Sequence, residues 1–254
     1  MGDNDTLRGR PSDMKGFLAR LLGWTRHREV DQALRSIDVA AAHRAHLVLC
    51  GTEDLVPIAY ALHRRTLGAD RPFVVCDPRR GNRPASVRSP ANHDSGIAAL
   101  AAAAGGSLCV RRARLPDDFS SLVPRLRAAP DVQYVVCSTP GEEVNPLLVI
   151  PAPIRIPPIE TRKRELPRIV EEYAADAIAA LGASEAHFTD RDRAWMLEHG
   201  TSSLSEIEKT TLRLVALRAS PNMSNAAARL GMAPVSLSRW IDRRLRLRWL
   251  LSAT

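Results

Sequence analysis

The side chains best placed for chemistry lie at the end of the chain. Between positions 221 and 254 stand Arg229, Arg239, Arg243, Arg244, Arg246 and Arg248, against a single acid, Asp242. Guanidinium forks pair with phosphate oxygens and with the major-groove edge of guanine. The chemistry on offer is therefore recognition of a polyanion. The spacing around these arginines has a pattern. Ser224 is suited to cap a helix, and Ala226, Ala227 and Leu230 fall on one face of it. Gly231 suits a left-handed turn, and Pro234 suits the first turn of a following helix. Leu237, Ile241 and Leu245 then recur at helical spacing. Helix, glycine turn and helix make a DNA-reading unit. Its candidate contacts are Ser224 and Asn225 on the first helix, and Val235, Ser236, Ser238, Arg239 and Asp242 on the second. Arg243 and Arg244, with Arg246 and Arg248, are placed to meet phosphates. Spacing alone admits a second reading, a surface helical hairpin packed on the rest of the chain.

Nothing else in the sequence assembles a reactive set. His43, His46, His63, His93, His187 and His199 form no i,i+4 pair and no H-E-x-x-H. Cys50, Cys76, Cys109 and Cys137 each sit in an apolar run and lack the close spacing of a zinc site, so they read as reduced core cysteines. Glu142/Glu143 and Glu171/Glu172 are adjacent pairs; neighbours on a helix point to different faces, and they read as solvated charge. No catalytic residue, metal or cofactor is expected.

The elements that must position the basic end follow from composition and patterning. The chain has 254 residues, 45% hydrophobic and 25% charged, with a formal net charge of +8. That is an ordinary globular composition, long enough for a core. Nearly all the basic residues are arginine, since Lys15, Lys163 and Lys209 are the lysines. A GC-rich genome accounts for that as well as a polyanion partner does. The concentration of arginine in the last stretch favours the partner. No apolar run reaches the ~18–20 residues of a membrane helix, and the first thirty residues carry no signal core. A cytoplasmic, nucleoid-associated protein is expected.

Residues 1–26 read as a polar tail with one short helix around Phe17 to Trp24, and 28–42 as a helix. Short apolar runs at Leu47–Cys50, Phe73–Cys76, Leu108–Val110, Tyr134–Cys137 and Ile154–Ile156 then alternate with helical stretches at Leu55–Leu67, Ile97–Ala104 and Phe119–Ala128. Residues 78–95 read as a loop. This alternation predicts βαβ units and a parallel sheet buried on both faces. Beyond Pro158 the strands stop, and helices are expected over Leu166–Leu181, Asp190–His199 and Leu204–Arg218.

Two stretches carry a family resemblance. Leu204-Ser-Glu-Ile-Glu, Ala226-Ala227-x-x-Leu230-Gly231-Met232 and Ser236-Leu237-Ser238-Arg239 resemble the Fis-type helix-turn-helix, with its L-x-E-[VI]-E, A-A-x-x-L-G-[IM] and [ST]-L-x-R segments. In that family the preceding helix pairs two subunits, which implies such a role for residues 204–218. Ile154-Arg-Ile-Pro-Pro-Ile-Glu-Thr-Arg-Lys-Arg-Glu-Leu-Pro167 resembles the V-x-L-P-P-L-R-E-R-x-E-D-I-P that ends the AAA+ domain of sigma-54-dependent enhancer-binding activators. Ala61-Leu-His63, Ala69-Asp-Arg-Pro-Phe-Val74, Gly105-Gly-Ser-Leu108 and Leu115-Pro116 resemble further segments of that domain. The resemblance implies an α/β, AAA+-like parallel sheet flanked by helices over 27–158. An all-helical lid over 159–203 and a C-terminal helix-turn-helix over 204–254 follow.

The departures from that family decide the expected chemistry. A phosphate-binding loop needs several glycines and a lysine. The corresponding Cys50-Gly-Thr-Glu-Asp-Leu-Val56 has one glycine and no lysine, and it sets Glu53 and Asp54 where phosphate would come. The acids that hold magnesium fall at Arg111 and Arg112, which cannot ligate a cation. These two are open to an anion or to ion pairing. The sigma-factor contact loop G-A-F-T-G-A is absent, and the sensor arginine falls near Ser205. A DNA-binding regulator with a dead AAA+ scaffold is expected rather than an enzyme, with double-stranded DNA as partner and a homodimer or higher oligomer. The alternatives are an interaction protein that binds intact sigma-54 activators, and an active ATPase. No receiver-, GAF- or PAS-like segment precedes the domain, so the signal is expected by another route.

Overall fold

The computed structural model describes residues 11–86, 89–141 and 152–243. Glu142, Glu143, Arg244, Leu245, Arg246 and Arg248 lie outside those residues. The chain falls into two compact units, Met1–Pro158 and Ile159–Thr254.

The first unit contains α1 (Pro11–Leu22), α2 (His27–His43), β1 (Leu47–Cys50), α3 (Val56–Thr66), β2 (Phe73–Cys76), β3 (Ala91–His93) and α4 (Gly96–Ala102). It continues with β4 (Ser107–Arg111), α5 (Phe119–Arg127), β5 (Gln133–Ser138) and β6 (Ile154–Arg155). The six strands form one parallel sheet in the order β3-β2-β4-β5-β1-β6. The α/β class expected from the alternation is the one observed, a parallel sheet flanked by helices.

Burial on both faces explains why these strands are short apolar runs rather than alternating ones. Val48 lies opposite Val136, Val136 opposite Val110, and Val110 opposite Cys76. With Val74, Leu108 and Tyr134 these residues build the face covered by Ala99, Leu100 and Ala103 of α4 and its neighbour and by Leu122 and Leu126 of α5. On the other face Phe73 meets the rings of Tyr60 and His63 from α3, each 5.2 Å away. Gly106 is required at the foot of β4, since a Cβ there would lie 1.9 Å from the Pro72 carbonyl oxygen.

Two details differ from the sequence-based expectation. The loop over 78–95 contains β3, which pairs with β2 through Val74–Ala91, Val75–Asn92 and Cys76–His93. The Asn92 amide donates to the Asp77 and Gly81 carbonyls at 3.0 and 2.7 Å, so this polar residue is held by its side chain as well as by the ladder. The early helix is also longer than the stretch marked for it. Phe17, Leu18, Leu21 and Leu22 of α1 are buried, α1 packs on α2, and the Arg65 guanidinium sits 4.0 Å from the Phe17 ring centre.

The second unit is helical: α6 (Leu166–Leu181), α7 (Asp190–His199), α8 (Leu204–Arg218), α9 (Met223–Leu230) and α10 (Pro234–Asp242). α6 stops at Gly182, whose φ of +57° closes the helix in the left-handed region. α7 begins in a capping box, with Thr189 and Asp192 each accepting from the other's amide. Asp192 is fully buried, and Arg218 at the end of α8 donates to it at 3.2 Å. α8 packs along α6, and Leu204, Ile207, Leu214 and Val215 are buried in the shared core.

Candidate nucleic-acid interface

α9 and α10 are joined by a turn that the sequence specifies residue by residue. The cap of α9 is Asn222, at φ −157° and ψ 169°, whose side chain accepts from the Asn225 amide at 2.9 Å. Ser224, expected to be the cap, is instead an exposed residue of the first helical turn, beside exposed Asn225. The reason is local: the backbone is still extended at Asn222 and already helical at Met223. At the far end the Met232 amide donates to the Ala227 carbonyl and the Gly231 amide to the Ala228 carbonyl, each at 3.0 Å. That reciprocal pair needs a left-handed residue between helix and turn. Gly231 provides it at φ +63°. Ala233 is extended, as a residue before proline prefers, and Pro234 opens α10.

The inner face of α10 is Leu237, Trp240 and Ile241, all buried. Trp240 is a core position that the i,i+4 spacing of Leu237 and Ile241 does not mark. It lies three residues after Leu237, and the Arg213 guanidinium of α8 stands 5.0 Å from its ring centre. The small side chains of Ala226 and Ala227 are fully buried on α9, beside Leu230. With three contact residues on its inner side, α10 has one defined outward face.

That face carries the expected residues. Val235 is 55% exposed. Ser236, Arg239, Asp242 and Arg243 are exposed, and Ser238 is half-buried with its hydroxyl donating to Asp242 at 3.4 Å. Val235, Arg239 and Arg243 follow at four-residue steps and so lie on one stripe. Arg244, the ninth candidate, lies outside the described residues.

The loop that follows β1 is the second place the sequence singled out. Asp54 accepts from the Val56 amide at 3.2 Å and from Arg111 Nη2, at the end of β4, at 2.7 Å. Asp77, fully buried just past β2, accepts from Arg114 Nη1 at 3.1 Å and from the Arg79 amide at 3.2 Å. Arg111 Nε lies 3.3 Å from Asp77, and Arg80 reaches both carboxylates, at 3.5 and 3.6 Å. Burial opposes the charged form of Asp54, but the charge and hydrogen bond of Arg111, the Val56 amide and Arg80 together hold its carboxyl below the ordinary value. Burial likewise opposes the Arg111 cation, and the Asp54 carboxylate, with smaller contributions from Cys137 and Asp77, more than offsets it. Of the two readings open for Arg111, the structure shows ion pairing. The carboxyl ends of parallel strands are where α/β sheets bind ligands. Here those ends are occupied by the protein's own ion pairs.

Among the described residues no group of three His, Cys, Asp or Glu side chains can hold a metal. The four cysteines are free and buried. Burial, with smaller contributions from nearby carboxylates, pushes the Cys76 thiol up to about 12. Among the described residues no helix is long and apolar enough to cross a membrane.

No protein-family model matches this chain, and no curated protein matches it. The chain is similar to three crystal structures of NtrX from Brucella abortus. One, in complex with ADP, is 17% identical over 82% of this chain and 53% of that one, with a TM-score of 0.49. Another, in complex with ATP, is 16% identical over 83% of this chain and 66% of that one, with a TM-score of 0.42. The third is 14% identical over the same shares, with a TM-score of 0.45. The chain thus spans about half to two thirds of the length of the NtrX chains it matches.

α8 is the helix that precedes the turn unit. α8 faces its own unit with Leu204, Ile207, Leu214 and Val215. Its partly covered or exposed positions include Glu206, Glu208, Lys209, Leu212, Arg213 and Leu217, of which only Lys209 is well exposed.

Proposed function

We propose that the protein is a DNA-binding regulator that reads duplex DNA with α10, while its α/β unit serves as a scaffold without nucleotide turnover. One observation carries the first half: the outward stripe of Val235, Arg239 and Arg243 on a helix whose other face is anchored by Leu237, Trp240 and Ile241. A helix fixed behind a glycine turn, with polar and basic side chains outward, has the form that enters a major groove. The resemblance of its wording to the Fis-type unit and the arginines concentrated in its sequence support the same reading. The Asp54–Arg111–Asp77 ion pairs support the second half, since they occupy the strand ends with carboxylates and arginines rather than with a phosphate cradle. A homodimer with two recognition helices about 34 Å apart is the assembly that would read a palindromic site.

The test is a gel-shift titration of the full chain on duplex DNA at several salt concentrations. Binding that weakens steeply with salt, and falls about tenfold or more in Arg239→Ala, is expected. Binding unchanged by Arg239→Ala removes α10 from the interface. Capture of an intact sigma-54 activator, with no affinity for DNA, supports the interaction-protein reading instead.

A further inference from the structure

We infer that α10 selects DNA by a thymine methyl group against Val235 and a guanine edge against Arg239, about two base pairs apart. This rests on the DNA-binding reading above and gives that site its sequence preference. Val235 is the observation that asks for an explanation. At 55% exposure it is one of three large apolar side chains left open among the described residues, with Val39 and Leu197. It sits in the first turn of α10 immediately after Pro234, where more than half of a β-branched side chain with low helix propensity is left open. Its two methyls stand on a stiff χ1, so they present a fixed apolar surface.

On the major-groove edges of the four base pairs, the apolar group is the C5-methyl of thymine. An exposed valine on the leading turn of a groove-reading helix is complementary to that group and to no phosphate. Arg239 follows four residues later on the same stripe, exposed, one helical turn further along. Four residues rise about 6 Å along the axis, close to two steps of about 3.4 Å along a DNA strand. A guanidinium fork there matches the O6 and N7 acceptors of guanine. Ser236 and Ser238 beside them bear hydroxyls that pair with either donors or acceptors, so they tolerate several bases. Asp242 is held by the Ser238 hydroxyl at 3.4 Å.

The experiment uses the full chain. A preferred duplex is selected from random-sequence DNA at fixed salt. Each thymine in it is then replaced by deoxyuridine, which lacks only the methyl, and each guanine by 7-deazaguanine, which lacks the N7 acceptor. One deoxyuridine is expected to weaken wild-type binding about fourfold, the effect of one buried methyl, and to weaken Val235→Ala binding clearly less, since alanine keeps one methyl. One 7-deazaguanine about two base pairs away is expected to weaken wild-type binding about tenfold, and to leave Arg239→Ala unaltered. Val235→Ala replaces an exposed residue by the best helix former, so the helix persists. If Val235→Ala responds to deoxyuridine as the wild type does, or no thymine is sensitive, the inference is overturned while the DNA-binding reading stands. Absence of binding to any duplex at low salt overturns both.

Discussion

Arg111 and Asp54 meet at 2.7 Å, joining the end of β4 to the loop that leaves β1. The same guanidinium places Nε 3.3 Å from Asp77, which is fully buried. Arg111 is therefore a cation between two carboxylates, closer to each than Arg80, which also reaches both. Arg111→Met leaves a buried charge with less compensation and is expected to destabilise the α/β unit by about 3 kcal/mol. Thermal unfolding followed by circular dichroism checks this. A change within about 0.5 kcal/mol, the ordinary effect of a surface substitution, would show that Arg80 and Arg114 suffice for Asp77.

The pH dependence follows from Asp54 and Asp118. Burial opposes the charge of Asp118, but the Ile97 amide, the Ser95 hydroxyl and the Gly96 amide hold its carboxyl below the ordinary value, as Arg111 does for Asp54. Both folded values lie beneath the unfolded one, so the folded state binds fewer protons near that pH. Their stabilisation is complete above the unfolded value of about 4 and is lost as pH falls through the folded values. An acid titration of unfolding midpoints is expected to fall more gently below pH ~4 in Asp54→Asn than in the wild type. Parallel curves would remove Asp54 from the acid response.

In the Cys50–Val56 loop Asp54 takes the Arg111 guanidinium, and the proposed scaffold role predicts that no nucleotide binds there. A ligand present at a hundred times its Kd adds about 2.7 kcal/mol to stability. Millimolar magnesium–ATP is expected to leave the unfolding temperature unmoved, with no phosphate release in a coupled assay. An upward shift would show a nucleotide site, and phosphate release would show a working ATPase.

The start of α9 distinguishes two residues of similar chemistry. Asn222→Ala removes the side chain that accepts the Asn225 amide and is expected to cost the helical unit about 1 kcal/mol. Ser224→Ala, at an exposed helical position, is expected to change stability by no more than about 0.5 kcal/mol. Urea unfolding of both variants orders them, and the reverse order would return the cap to Ser224.

The parts of the molecule legible in sequence are those set by local rules. β1, β2, β4 and β5 announce themselves because strands buried on both faces carry an unbroken apolar run, polar only at the ends of β4 and β5. β3 does not, because Asn92 in it satisfies itself through side-chain bonds to two carbonyls, and nothing in the residue type signals a strand. The turn before α10 is legible from Gly231 and Pro234, whose backbone demands leave few alternatives. Trp240 is not marked by the sequence pattern, because Leu237 and Ile241 already complete an i,i+4 pair and the Arg213 ring contact comes from another helix. The Asp54–Arg111–Asp77 contacts join the ends of separate strands. Only the strand order brings them together, and no local pattern carries that order.

The packing of α8 on α6 has a practical meaning for anyone who wishes to transplant the recognition helix. A cut at residue 204 would strip α6 from Leu204, Ile207, Leu214 and Val215 and separate Arg218 from Asp192. The fragment so released would offer a bare apolar strip to water and clump. The smallest graftable cassette therefore opens at Ile159, and a chimera built on that seam carries its own foundation with it.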